Sequence, residues 1–157
     1  MHILLIGHLG YIGPAVIEQL SKNKSNKLNG IDVGYFYKRK FFKNLKNKIV
    51  TKFKDVRDLN SNDIKGFDKI VYLAAISNDP MGNVFEKVTE EINYKCAIKI
   101  AKIAKKYGTR KFVYASSCSM YGFTKNLIKS ENSKVNPLTA YARSKVKAEK
   151  SLKKISS

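Results

Sequence analysis

The chain has 157 residues and a hydrophobic fraction of 43%, enough for a real core, and predicts one domain over residues 1–157. No apolar run approaches the roughly 20 residues that cross a bilayer, and MHILLIGHLG lacks a basic start and small-residue cleavage site, so no membrane-spanning helix and a cytoplasmic protein are expected. The formal charge of +19 invites a polyanionic partner, but only Arg39, Arg57, Arg110 and Arg143 among 31 basic residues offer arginine's planar fork, and scattered lysines argue against nucleic acid as the main partner.

Residues 3–6 (Ile-Leu-Leu-Ile) form a short apolar run, a glycine-punctuated stretch follows, and residues 14–22 are amphipathic. This reads as strand, tight turn and helix. Residues 28–33 and 49–53 are two further strands, with a short helix between them. Residues 69–75 (KIVYLAA) are continuously apolar, as in a strand covered on both faces. Residues 84–107 place Val88, Ile92, Cys96, Ile100 and Ile103 at helical spacing, and Gly108 supplies a C-cap. Residues 111–115 return to strand, and residues 139–155 form a last, basic helix. Strands alternating with helices of these lengths imply parallel pairing through right-handed crossovers, hence an open doubly wound α/β sheet. Cys96 and Cys118 lack metal-ligand spacing and read as reduced thiols, with no metal site expected.

Gly7, Gly10 and Gly13 lie three apart in GHLGYIG, between the first strand and the first helix. A pyrophosphate reaches the backbone there only where side chains are absent, and the helix N-terminus adds N–H donors. Asp32 follows nineteen residues after Gly13 at the end of the second strand. An acidic side chain at that point accepts hydrogen bonds from ribose hydroxyls and repels a 2′-phosphate, which favours NAD over NADP. His8 reads as a solvent-facing turn residue, and Pro14 suits a first helical turn.

Tyr141 and Lys145 are four apart on the last helix and share a face. An ammonium beside a phenol stabilises the phenolate, so the phenol can take a proton. The spacing of GHLGYIG, the segment ASSCSMYG (115–122), Asn136-Pro137 and Tyr141-Ala-Arg-Ser-Lys145 together resemble the extended short-chain dehydrogenase/reductase family, which includes nucleotide-sugar epimerases. Ile6 and His8 depart from it, standing where that family usually has a threonine and a small residue.

The resemblance implies a Rossmann-like parallel sheet of about five strands in order 3-2-1-4-5, with helices on both faces and the C-terminal substrate lobe absent. It implies catalytic roles for Tyr141, Lys145 and Ser117, with Lys145 and Tyr141 also on the cofactor side. Tyr11 and Ile12 of the glycine turn, Asp55-Val56 after the third strand, Leu73-Ala74-Ala75 after the fourth and Asn93 in the following helix match its cofactor-lining segments. It also implies NAD as cofactor, a nucleotide sugar as substrate and a homodimer through helices 84–107 and 139–155.

In the family's 4,6-dehydratases an Asp and a Glu follow the catalytic Ser/Thr. Here Cys118 and Ser119 stand there, which favours epimerisation or simple oxidoreduction through a keto sugar. Two alternatives stay open: a catalytically silent NAD-binding module or fragment, and a basic binder of single-stranded nucleic acid. The second would use residues 38–48, with Tyr35, Phe36, Tyr37, Phe41 and Phe42 as a stacking surface; packing of those aromatics against the fold is the preferred reading.

Overall fold

The computed structural model describes residues 1–38, 45, 47–77, 79–123 and 128–156. The short helix expected between the second and third strands falls largely outside them, as do Arg39, Phe41 and Phe42.

Five parallel strands form one sheet in the order β3-β2-β1-β4-β5, as expected. They are β1 His2–Ile6, β2 Lys27–Asp32, β3 Val50–Phe53, β4 Lys69–Tyr72 and β5 Lys111–Tyr114. The central position of β1 follows from its composition. Ile3, Leu4, Leu5 and Ile6 are all at most 2% exposed, so neither face reaches water, whereas the edge strands β3 and β5 carry exposed residues. Helix α1 (Gly13–Ser21) buries Ile17 with Ile3, Leu5, Leu28, Leu45 and Ile49, and Val16 and Leu20 flank that cluster.

Two compact units divide the chain. One contains residues 1–74 and 99–115, which carry the sheet; the other contains residues 75–98 and 116–157. In the first, strand pairing continues one residue past the ends of β1, β4 and β5. Gly7 N donates to the Ile31 carbonyl at 2.8 Å, Leu73 N to Ile6 at 2.8 Å and Ala115 N to Tyr72 at 3.1 Å. The chain turns away immediately afterwards, so the candidate loops begin at the carboxyl ends of the strands, where open α/β sheets bind their ligands.

Two expectations need correction. The fourth strand ends at Tyr72 and does not run to Ala75. The helix expected over 84–107 is interrupted at Phe85 (φ −115°, ψ 47°), and α3 (Asp79–Val84) precedes it. Beyond Phe85 the helix runs as α4 (Glu86–Glu90), a π-helical stretch Glu91–Cys96, and α5 (Ala97–Lys106). Its fully buried line begins with Thr89 and Asn93, not with Val88 and Ile92, and continues through Cys96, Ala97, Ile100, Ala101 and Ala104. Apolar periodicity misplaces the stripe because its first two buried positions are polar. Gly108 (φ +77°) closes the helix as expected, with its N–H on Lys105 and that of Thr109 on Ala104.

In the second unit, α6 (Ala140–Ser156) runs parallel to the 83–94 segment. Asn83 Oδ1 accepts from Ala140 N, Arg143 pairs with Glu86 at 2.7 Å, Lys147 with Glu90 at 2.8 Å, and Tyr94 meets Ser151 at 3.3 Å. Both partners advance together, turn by turn. No helix among the described residues is long and apolar enough to cross a membrane.

Candidate active site

The glycine turn is shaped by what its residues lack. Gly7 has φ +82°, and a Cβ there would collide with the backbone of Ala74, 2.5 Å from its Cα. Gly13 packs against the main chain of His8, which a Cβ would overlap. Gly10 is open, with only the Gly7 carbonyl near its Cβ position, at 3.4 Å. Tyr11 and Ile12 are exposed, and no side chain caps the first turn of α1. An uncapped helix start behind an open glycine suits an anionic group.

Asp32 is held at the end of β2 by two backbone amides. Leu9 N donates to Oδ2 at 3.0 Å and Gly34 N to Oδ1 at 2.8 Å. Each oxygen keeps a lone pair for a further donor. Asp55 is engaged differently. Its carboxylate accepts from the backbone N, Nε and Nη2 of Arg57, and those bonds hold it below the usual carboxylate range. Val56 is buried, while Leu73, Ala74 and Ala75 are half-buried.

His8 corrects the reading of the turn. It is not solvent-facing but fully buried, with Nε2 3.0 Å from Thr51 Oγ1. Burial pushes its pKa down, and the charge of Asp32 pulls the other way. Sequence reasoning missed this because the side chain's partners are 22 and 43 residues away. Gly30 was the available signal, since a glycine inside a strand marks the close approach of another group.

In the second unit, Thr139 caps α6 by accepting the Ala142 N–H at 3.1 Å. Tyr141 is 8% and Lys145 only 3% exposed, and Lys145 Nζ lies 5.5 Å from the centre of the Tyr141 ring. Burial pulls the Lys145 pKa down to about 8. The pair therefore sits on one face as expected, with the ammonium in surroundings that weaken its hold on the proton.

Asn93 and Ser144 brace this helix. Asn93 Oδ1 accepts from Ile76 N at 2.9 Å, and its Nδ2 donates to the Ile76 carbonyl at 3.1 Å and to Ser144 Oγ at 3.2 Å. Ser144 Oγ in turn donates to the Tyr141 carbonyl at 2.6 Å. Both amide hydrogens of Asn93 are thus engaged within the protein. Ser144 was not singled out from the sequence, because a serine inside a helix has no local signature of such a role.

Ser117 caps a short 3₁₀ turn, Cys118–Tyr121, accepting from Ser119 N at 3.2 Å and donating to Ser119 Oγ at 3.1 Å. The Met120 carbonyl accepts from Asn136 N at 2.9 Å, which ties this turn to the lead-in of α6. Cys118 is exposed.

Similarity to known proteins agrees with the fold. The model of the NAD dependent epimerase/dehydratase family matches residues 3–157. The uncharacterized UDP-glucose epimerase YtcB of Bacillus subtilis (strain 168) is 32% identical over 96% of this chain and 50% of its own length. A putative UDP-glucose 4-epimerase of Methanocaldococcus jannaschii is 29% identical over the same shares. Among solved structures, UDP-glucuronic acid 4-epimerase from Bacillus cereus in complex with NAD superposes with a TM-score of 0.87 at 23% identity, over 99% of this chain and 52% of that one. UDP-N-acetylglucosamine 4-epimerase from Methanobrevibacter ruminantium gives 0.86 at 25% identity, over 98% and 49%. The chain spans about half the length of the curated relatives it matches. By its glycine turn, its sheet and the family match over residues 3–157, the chain belongs to the NAD dependent epimerase/dehydratase family.

Proposed function

We propose that this chain is the NAD-binding part of a nucleotide-sugar epimerase in which Tyr141 is the catalytic base. The buried Tyr141–Lys145 pair carries the reading: Lys145 Nζ lies 5.5 Å from the centre of the Tyr141 ring, on the same face of the helix. NAD would be held at the glycine turn formed by Gly7, Gly10, Tyr11, Ile12 and Gly13, where Gly7, its amide already bonded to the Ile31 carbonyl, contributes close backbone approach, with Asp32 receiving the adenosine ribose hydroxyls. The open Gly10 and the uncapped start of α1 fit such a group. Asp55, Val56, Leu73, Ala74, Ala75 and Asn93 complete the lining, although Asp55 and Asn93 would contribute shape more than free donors or acceptors, given their internal bonds.

When bound, NAD supplies a hydride acceptor and donor at the sugar carbon. Tyr141 removes the proton of the sugar hydroxyl and returns one after the keto sugar has been presented by its other face, Lys145 stabilises the phenolate, and Ser117 hydrogen-bonds the sugar oxygen. Cys118 and Ser119 supply no carboxyl for removal of water, which supports epimerisation over 4,6-dehydration. A nucleotide-sugar substrate, a cytoplasmic setting and a homodimer through helices 84–107 and 139–155 belong to the same reading.

The test is made on the chain joined to its full-length context. Tyr141→Phe abolishes UDP-sugar interconversion while calorimetry still shows NAD binding, and Asp32→Ala weakens that binding. Unchanged turnover in Tyr141→Phe would sink the mechanism. NAD binding with no turnover on any nucleotide sugar would leave a silent binding module instead.

A further inference from the structure

The His8 ring lies over two residues paired across neighbouring strands. Gly30 of β2 and Thr51 of β3 are register partners. A Cβ on Gly30 would stand 2.5 Å from His8 Nδ1 and 2.6 Å from Nε2, so the ring occupies the space a side chain at 30 would need. The same ring bonds Thr51 Oγ1 at 3.0 Å. His8 is 0% exposed, and its own main chain packs against Gly13. The residue is therefore fixed from two sides: by its side chain on the sheet and by its backbone at the start of α1.

The next amide is that of Leu9, which donates to Asp32 Oδ2 at 3.0 Å, and the preceding one, Gly7 N, bonds the Ile31 carbonyl at 2.8 Å. Three consecutive residues of the turn thus grip three consecutive residues of β2. We propose that His8 is a positioning residue, which sets the Leu9 amide and through it the orientation of the Asp32 carboxylate toward the cofactor ribose, with Gly30 as its obligate counterpart. This rests on the NAD reading above for its ligand, and on the packing alone for the pair.

Burial outweighs the attraction of Asp32 and favours the neutral ring, so it acts as a shaped, hydrogen-bonded filler and not as a counter-ion. A side chain of this size needs an empty position opposite. Glycine at 30 provides it, at the conformational cost that glycine brings to a strand.

Three measurements on the chain decide the matter. In a melting cycle, Gly30→Ala lowers the melting temperature by about 5 °C or more when His8 is present and leaves it unchanged or higher in the His8→Ala background. Equal losses in both backgrounds overturn the pairing. Without ligand, exchange of the Leu9 amide hydrogen becomes about 10-fold faster in His8→Ala at a temperature where the protein stays folded, and unchanged protection overturns the action on Asp32. With ligand, the preference for NAD over its 2′-deoxyadenosine analogue falls about 10-fold in His8→Ala; a preserved preference with a lowered melting temperature reduces His8 to packing. Failure of the unaltered chain to bind either dinucleotide refutes the NAD reading, while the melting cycle and amide exchange still decide the role of His8.

Discussion

Replacing Lys145 with methionine stabilises the fold at neutral pH, and the gain vanishes in alkali. Lys145 is 3% exposed, and burial lowers its pKa from an ordinary 10.5 to about 8. Between those values the unfolded chain holds a proton that the folded chain does not, so this group makes stability rise with pH across that window. Below pH 8 its unfavourable contribution is complete; above 10.5 it is gone. At 1.36 kcal/mol per pH unit, the shift amounts to about 3 kcal/mol. Lys145→Met keeps the length of the side chain and removes the charge. Urea unfolding followed by circular dichroism gives the difference between variant and parent at pH 7, 8, 9 and 10.5. The difference is about 3 kcal/mol at pH 7 and declines through the window. The packing contribution of the methionine is independent of pH, and the other lysines titrate in both proteins, so the slope isolates Lys145. A difference that stays constant with pH would refute the claim that burial of the ammonium sets it.

The Gly7 position gives a steric prediction. Gly7→Ala forces a Cβ onto the Ala74 backbone at φ +82° and costs about 2–4 kcal/mol in denaturant unfolding; a loss under about 1 kcal/mol would show that the β4 loop can yield. Asp63 predicts acid sensitivity. Burial alone would raise its pKa, but hydrogen bonds from Lys52, Lys54 and the Asn60 amide outweigh this and bring it to about 2. Its contribution is present above pH 3.8 and is lost as pH falls toward 2. Because the Lys52 side chain is 61% exposed, screening reduces the effect to about 1–2 kcal/mol. Asp63→Asn removes that acid-linked loss in pH-dependent melts, and an unchanged acid limb would contradict the assignment.

The strands and the glycine turn were legible because both depend on short-range patterns, whereas the sheet order came from the family resemblance. Ile3–Ile6 reads as a short apolar strand, and Gly7, Gly10 and Gly13 are spaced for a turn into a helix. The helix α2 (Ser61–Ile64) carried a signal that went unread: Asn60 and Asp63 form a capping box. Other features had no local signature. The break at Phe85 and the π-helical stretch carry no sequence signal, and Asn93 becomes buried because Ile76 and Ser144 satisfy it, 17 and 51 residues away. The burial of His8 is of the same kind. Its place in a turn suggests solvent, and only the missing side chain at Gly30 makes room inside.

These two kinds of determinant imply two kinds of vulnerability. The cradle around Asp32 is defined by absent atoms: Gly7, Gly13 and Gly30 each face a neighbour that a single Cβ would strike. It therefore fails by addition, and conservative enlargement is as damaging there as a change of chemistry. The Tyr141–Lys145 helix is defined by satisfied polar atoms, with Ser144 joining the Tyr141 carbonyl to Asn93, and Asn93 joining Ile76. It fails by removal, because each deletion leaves a buried donor or acceptor unpaired. A substitution scan that rejects added atoms at Gly7, Gly13 and Gly30, and rejects removal of the polar groups of Asn93 and Ser144, follows from this difference in what holds each part.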